Sequence, residues 1–204
     1  MTEKIYFYPG WLRIWHGLNA IFCILLIITG IRMQYAFSSP VVTFERAVSW
    51  HNFGGIALTF NYTIFLIGNI FTKNGAHYRL RFKNISQRLL KQLLYYSVGI
   101  FRKEHSPFPI NEDRKFNPLQ QISYLIIMYF AVPILFITGW ALLFPEFIMR
   151  NVFGFSGIFL TAQLHIAMGF FVSLFLIIHL YVSTMGTKPI SNFKSIITGW
   201  QEAH

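Results

Sequence analysis

The sequence is poor in charged residues and almost free of cysteine. Only 12% of its 204 residues are Asp, Glu, Lys or Arg, against about a quarter in a typical soluble domain, and 54% are hydrophobic. This composition excludes a soluble globular domain and predicts an integral membrane protein. Cys23, the only cysteine, lies in the middle of an apolar run, so a disulfide framework is excluded as well.

Four long apolar runs define the predicted fold. Each is at least as long as the roughly 18 residues that a helix needs to cross a hydrocarbon core. We predict an all-α protein, a single domain over residues 1-204 built as a membrane four-helix bundle, with spans at about 14-35, 49-72, 119-144 and 157-184. The second span is the least apolar because Asn52, Asn61 and Asn69 interrupt it. The first run is too long for the apolar region of a signal peptide and lacks a clear cleavage site, so we expect it to remain as a span.

Acidic residues are scarce, with 7 Asp and Glu against 17 Lys and Arg, for a formal net charge of +10. Fourteen of the basic residues lie in the amino terminus, in the connection 73-118 or in the tail. Flanks rich in Lys and Arg stay in the cytoplasm, so we predict that both termini and this inner connection are cytoplasmic. Contact with anionic membrane lipid explains the net charge, and we expect no nucleic-acid partner.

Part of the inner connection has the pattern of an amphipathic helix. Apolar residues recur every three or four positions, opposite Arg88, Lys91 and Gln92. The stripe consists of Ile85, Leu89, Leu93, Tyr96 and Ile100. We expect an interfacial helix on the inner leaflet, and a helix that covers the ends of the bundle is an equally good interpretation.

Four of the seven histidines lie within the spans. His165 and His179 share the fourth span and are 14 positions apart, which puts them about 21 Å apart along a helix and excludes a common metal ion. His16 lies in the inner half of the first span, at the depth of His179. His51 lies in the outer half of the second, at the depth of His165. The sequence therefore predicts two cross-helix histidine pairs.

Two imidazoles that face each other across a flat macrocycle make a six-coordinate haem suited to electron transfer. Glycines near the histidines would let the edge of the ring approach a helix; they are Gly30, Gly54, Gly55 and Gly169. A haem here would be of the b type, because Cys23 cannot supply a CxxCH attachment site. The alternatives are that each histidine is an ordinary interhelical hydrogen-bonding group and that Gly30 and Gly139 serve helix packing.

Two further patterns bear on these sites. The triplet Ile-Thr-Gly occurs at 28–30 in the first span and again at 137–139 in the third, which suggests weak internal similarity. The remaining histidines, His77, His105 and His204, lie in the inner connection or the tail, and we expect them to be solvated.

Several segments together resemble the bacterial di-haem cytochrome b family. They are LRIWHGLNA, SWHN, RKFNPLQQ, QLHIAMG and IIHLYV, and the resemblance covers nearly the whole chain. That family includes cytochrome b-561 type proteins and the membrane subunits of formate dehydrogenase, nickel–iron hydrogenase and thiosulfate reductase. The long basic inner connection and RKFNPLQ look most like the thiosulfate reductase branch. The resemblance implies two b haems, with ligand pairs His51–His165 and His16–His179.

The resemblance also implies a quinone site beside the inner haem. It would be formed by Asn117, Gln120 and His179, and Asn117 could equally be a helix cap ahead of Pro118. Arg13, three residues before His16, would pair with a haem propionate, although a positive-inside flank would look the same.

By the same resemblance we expect a multi-pass protein of the bacterial inner membrane that passes electrons between the quinone pool and a periplasmic redox subunit. That subunit would be an iron–sulfur or multihaem protein leading to a molybdenum enzyme or a hydrogenase. One alternative is a stand-alone quinone-linked oxidoreductase that acts on a small oxidant such as superoxide. Another is a non-redox membrane anchor or metal carrier.

Overall fold

The computed structural model describes residues 4–35, 42–80, 82–111, 114–186 and 188–202, so His204 lies outside the described part. Short strand β1 (Lys4–Tyr6) precedes the long helices α1 (Gly10–Tyr35) and α2 (Phe44–Phe71). The inner connection holds a 3₁₀ turn (Lys73–Tyr78), helix α3 (Ile85–Leu94) and a π turn (Tyr95–Gly99). After it come α4 (Pro118–Ile126), a π turn (Ile127–Ala131), α5 (Val132–Leu143), a 3₁₀ turn (Pro145–Phe147), β2 (Asn151–Val152), β3 (Phe155–Ser156), α6 (Gly157–Ser183), α7 (Ser191–Thr198) and β4 (Trp200–Glu202).

Among the described residues, four helical segments are long and apolar enough to cross a membrane: α1, α2, the continuous segment Pro118–Leu143, and α6. They confirm the predicted all-α fold with four spans. The helices α1 and α2 begin four and five residues before the predicted spans, at Gly10 and Phe44. Hydropathy marks the part of a helix that lies in hydrocarbon, whereas the helix itself continues into the polar interface.

One face of α1 shows why this architecture needs a membrane. Ile14, Ile21 and Ile28 repeat every seven residues, and each is more than half exposed. In water such a stripe would be costly, but lipid chains solvate it without penalty. The helix therefore presents these side chains to the bilayer.

The third span contains a proline, and the chain accommodates it with a π turn. Pro133 has no N–H. At the spacing of a π turn, that N–H would have donated to the carbonyl of Met128, so this carbonyl lacks its backbone donor. The hydroxyl of Tyr62 donates to that carbonyl at 2.6 Å. In a span, where water cannot solvate backbone groups, this hydrogen bond compensates for the missing one.

The contacts divide the chain into two compact units. The first contains Met1–Arg13, Ile67–Ile127 and Leu180–His204, and the second contains Ile14–Leu66 and Met128–His179. The first unit holds the inner connection and both ends of the chain. The second holds the greater part of the spans.

In the first unit, the two ends of the described chain pair with each other. Strands β1 and β4 are antiparallel, with Tyr6 opposite Trp200, and the rings of these two residues lie 5.2 Å apart. Gly199, at a φ of 93°, turns the chain into β4. This pairing was not predicted, because strands of three residues are too short for a periodic pattern. It puts both ends on the same side of the membrane, as an even number of spans requires.

The predicted amphipathic helix is present as α3 and its π turn, but one residue was assigned to the wrong face. Gln92, expected on the polar side, is buried with 1% of its surface exposed, and its side chain hydrogen-bonds Tyr96. Leu90, Leu93 and Leu94 are instead more than half exposed. The hydrogen bond to Tyr96, one turn later on the same helical segment, gives the buried amide a partner. The leucines face outward, as an interfacial helix would present them to lipid.

Lys115, one of the basic residues of the inner connection, lies inside the structure and not at its surface. It is only 4% exposed, and its Nζ donates to Phe7 O at 3.2 Å and Asn74 Oδ1 at 2.9 Å. The amine also lies over the rings of Tyr8 and Phe116. Because both acceptors are neutral, burial lowers the pKa of the Lys115 amine to about 7.

Replacing Lys115 with Met should change how stability depends on pH. Above about pH 7 the folded protein has released a proton, whereas the unfolded chain keeps it up to its ordinary pKa. The free energy of unfolding therefore rises with pH across this range, by up to about 1.4 kcal/mol per pH unit from this group. Lys115→Met should lose that slope, as measured by thermal unfolding in detergent between pH 7 and 9. The exposed Lys91→Met serves as the control and should keep it; equal slopes in all three proteins would contradict an uncharged, buried Lys115.

Candidate functional site

The structure brings the four span histidines together as two pairs. The rings of His51 on α2 and His165 on α6 have centroids 6.2 Å apart and planes at 72°. The rings of His16 on α1 and His179 on α6 have centroids 6.4 Å apart and planes at 52°. These are the pairs that their depths in the spans predicted, and α6 contributes to both.

The spacing of the rings fits a metal bound between them. Two imidazoles in line on one metal, with metal–nitrogen bonds of about 2 Å, have ring centroids roughly 6 Å apart. The observed 6.2 and 6.4 Å agree with that distance. Each pair could therefore hold a haem iron through one nitrogen of each ring.

The set of donors favours haem over a bare metal ion. No group of three or more His, Cys, Asp or Glu side chains that could hold a metal occurs among the described residues. A zinc site needs three or four protein ligands, while a haem brings four nitrogens and needs only the two that each pair offers.

A threonine on α1 holds His51 from the side opposite its partner. Thr29 Oγ1 lies 2.9 Å from His51 Nδ1, and the same hydroxyl donates to Leu25 O at 2.7 Å. A hydroxyl has one proton, and the backbone carbonyl takes it, so Thr29 accepts from Nδ1–H. The other ring nitrogen, Nε2, then keeps the lone pair that an iron would bind.

The third span repeats this arrangement for His165. Thr138 Oγ1 lies 2.8 Å from His165 Nδ1 and donates to Ile134 O at 2.7 Å. Thr29 and Thr138 are the threonines of the two Ile-Thr-Gly triplets. The repeated triplet was visible in the sequence, but its contact with the histidines was not predicted. The feature that could have indicated this contact is a hydroxyl next to a glycine in each of two spans.

The glycine of each triplet lies under the same histidine. A Cβ on Gly30 would be 3.5 Å from His51 Cε1, and one on Gly139 would be 3.2 Å from His165 Cε1. At Gly54 a Cβ would meet the side chain of Leu25 on α1 at 3.2 Å, a contact of helix packing. At Gly55 and Gly169 a Cβ would meet nothing within 4 Å, and their contact with haem stays a prediction.

Aromatic rings surround the inner pair. Phe175 stacks on His179 with ring centroids 5.6 Å apart, and Trp15, the neighbour of His16, stacks on Phe65 at 4.5 Å. Asn61, which made the second span look weak, donates from its side chain to Trp15 O at 3.2 Å. This interhelical hydrogen bond explains why a polar residue is tolerated there.

Arg13 lies in α1, three residues before His16. Its Nε is buried and has no hydrogen-bond partner among the described residues. A buried guanidinium donor without an acceptor is costly. A propionate carboxylate would supply that acceptor, so this atom fits the predicted contact.

Asn117 and Gln120 form a reciprocal capping box at the start of α4. Asn117 Oδ1 accepts from Gln120 N at 2.9 Å, and Gln120 Oε1 accepts from Asn117 N at 3.2 Å. The Asn117 amide also donates to the Tyr96 hydroxyl at 2.8 Å. Both residues belong to the first unit and His179 to the second. The capping role is observed, and the quinone role stays a prediction.

The histidines outside the spans differ from one another. His105 is exposed, as predicted. The prediction for His77 was wrong, since its ring lies between those of Phe7 and Phe116, at centroid distances of 6.0 and 6.3 Å. Burial and the nearby Lys115 lower the pKa of His77. The amino-terminal segment that covers it could not be placed from sequence.

Comparison with known proteins identifies the family of this chain. Residues 7–199 match the family model described as prokaryotic cytochrome b561. The chain belongs to that family. It is also similar to the Escherichia coli (strain K12) protein named "Putative cytochrome YdhU", with 35% identity over 199 residues, which is 97% of this chain and 75% of the relative. The protein is thus a multi-pass membrane cytochrome of the b561 type, and its family implies b haem.

Substitution of the histidines should reveal the pairing through haem content. We expect about two haems per chain in the wild type, and about one in His51→Ala and in His165→Ala. The double variant of these two should still bind about one, because both residues serve the same haem. Combining His51→Ala with His179→Ala should leave none. The measurement is pyridine haemochrome quantitation on purified protein.

His105→Ala is the matched control and should retain both haems, because this histidine is exposed outside the spans. Loss of both haems in the His51→Ala, His165→Ala double variant would contradict the pairing.

Proposed function

We propose that this b561-type cytochrome binds two b haems and carries electrons across the bacterial inner membrane. It would exchange electrons with the quinone pool on the inner side and with a periplasmic redox subunit on the outer side. The observation that carries the proposal is the presence of two histidine pairs, His51–His165 and His16–His179, each with one member on the continuous helix α6. Fourteen residues of helix separate the two ligands on α6 by about 21 Å, most of the thickness of a hydrocarbon core.

Each part of the chain has a role in this proposal. When bound, haem iron supplies one-electron chemistry. The four imidazoles would hold it by Nε2, and Thr29 and Thr138 keep two of them in that tautomer. The Arg13 guanidinium would neutralise a propionate. The apolar spans exclude water and ions from the path between the two sites.

The quinone end rests on the family resemblance and on the chemistry of the inner connection. A quinone carbonyl that is being reduced needs a hydrogen-bond donor and a supply of protons. Asn117, Gln120 and His179 are the proposed contacts. The Asn117 amide already points one hydrogen at the Tyr96 hydroxyl, and such an amide has a second to offer.

The outer end needs a partner. The second outer connection, 145–156, consists of a 3₁₀ turn and a ladder of two residues on each strand. This is too small to form a catalytic site, so the substrate chemistry would belong to an iron–sulfur or multihaem subunit in the periplasm. Purification of the cytochrome as a lone protein active on superoxide would favour the stand-alone alternative instead.

Reporter fusions test the orientation. Green fluorescent protein fused after residue 204 should fluoresce, because we place the carboxyl terminus in the cytoplasm. Alkaline phosphatase inserted in the connection 145–156 should be active, because that connection would face the periplasm. The reverse pattern would place the quinone and partner terminals on the opposite sides.

Reduction of the haems by a quinol tests the proposed quinone contact. Asn117→Ser keeps a side-chain oxygen that can cap α4, but it removes the amide. We expect unchanged haem content and at least a tenfold slower reduction of the haems by a menaquinol analogue, followed by absorbance, with reduction by dithionite unchanged. Asn111→Ser, an exposed asparagine in the same connection, is the control and should behave as wild type.

The outcomes separate the parts of the proposal. Wild-type rates in Asn117→Ser would leave Asn117 as a cap only. Failure of quinol to reduce the wild-type haems, with dithionite still effective, would contradict the quinone terminal as a whole.

A further inference from the structure

We propose that Thr29 and Thr138 are positioning residues that lower the redox potential of the outer haem through its two ligands. This inference rests on the proposed two-haem function and deepens it. It assigns a task to the two Ile-Thr-Gly triplets beyond the choice of tautomer. It also makes these two hydroxyl groups contributors to the difference in redox potential between the two haems.

First, the hydroxyl groups of the two threonines are strong hydrogen-bond acceptors. Each threonine hydroxyl donates to a helix carbonyl, Leu25 O or Ile134 O, at 2.7 Å. A hydroxyl that donates in this way is polarised and becomes a better acceptor at its oxygen. Thr29 and Thr138 are 1% and 5% exposed, so water does not compete for the contact with Nδ1–H.

The second step is the effect on the ligand. An imidazole whose Nδ1–H is held by an acceptor donates more electron density through Nε2, and outer contacts of this kind tune the bound metal. Greater donation stabilises the ferric state more than the ferrous state. Because His51 and His165 both have such a contact, the two effects act on one iron and add.

The third step is orientation. Each ring is confined by the threonine oxygen at Nδ1, by a hydrogen bond to the backbone of Leu26 or Leu135, and by the glycine backbone of the same triplet near Cε1. These contacts hold the two ring planes at 72° to each other. The angle between ligand planes sets the low-spin ferric electron paramagnetic resonance (EPR) spectrum, so this spectrum reports directly on the confinement.

The test is a redox titration of full-length protein carrying both haems, in Thr29→Val, Thr138→Val and the double variant. Valine keeps the shape and removes the oxygen. We expect the midpoint potential of one haem to rise in each single variant and to rise further in the double variant. The other haem should not move. The ferric EPR signal of the shifted haem should broaden as its ligand rings gain freedom.

Two sets of variants provide controls. Thr29→Ser and Thr138→Ser keep the hydroxyl and should restore the wild-type potential and spectrum. Thr161→Val removes a hydroxyl from α6, one turn before His165, that bonds Gly157 O, and should shift neither haem. If a valine variant binds only one haem, the alanine variant at that position is titrated instead, with the same expectations.

Unchanged potentials in haem-replete Thr29→Val and Thr138→Val would overturn the inference and leave the two-haem function intact. An equal shift of both haems would also overturn it, since only the outer pair has these contacts with the two threonines. Absence of haem from the wild-type protein would instead contradict the proposed function, so the two failures are distinguishable.

Discussion

The structure depends on one constraint, that polar groups inside the spans must find their partners within the protein. Interhelical hydrogen bonds of the described residues provide such partners: Asn61 donates to the carbonyl of Trp15, Tyr62 donates to the carbonyl of Met128, and the rings of His51 and His165 donate to Thr29 and Thr138. Van der Waals packing between apolar helices has little directional preference, and hydrogen bonds have a strong one. These polar contacts therefore fix which faces of the spans meet, and so which histidines face each other.

Much of the fold and the centre of the site could be predicted from the sequence. Because the thickness of a hydrocarbon core sets the length of a span, the apolar runs predict four spans. The rise per residue of a helix predicts that His165 and His179 lie at two different depths. What the sequence could not show were contacts between distant segments. Thr29 and Thr138 look like ordinary helix threonines bonded to their own carbonyls, which they are, and their second bond is tertiary. Likewise the burial of Lys115 could not be predicted, because Phe7 and Asn74, which accept its hydrogen bonds, come from elsewhere in the chain.

The two halves of the membrane domain share a design. In each, a triplet in one span supports a histidine in the next: Thr29 supports His51, 22 residues later, and Thr138 supports His165, 27 residues later. The unit is a helical hairpin in which the first helix orients a ligand on the second. The inner pair is arranged differently. His16 lies on the first helix of its hairpin, and His179 lies on α6 too far from the triplet of the third span to contact it.

The π turn in the third span has a consequence for the site. A π turn inserts one residue into a helix, which rotates everything after it by about 100° relative to an uninterrupted helix. Thr138 and Gly139 follow the π turn Ile127–Ala131. Without the inserted residue, both would point a quarter of a circle or more away from His165. The π turn next to Pro133 therefore sets the rotation of the helix that follows it, so that Thr138 and Gly139 face His165.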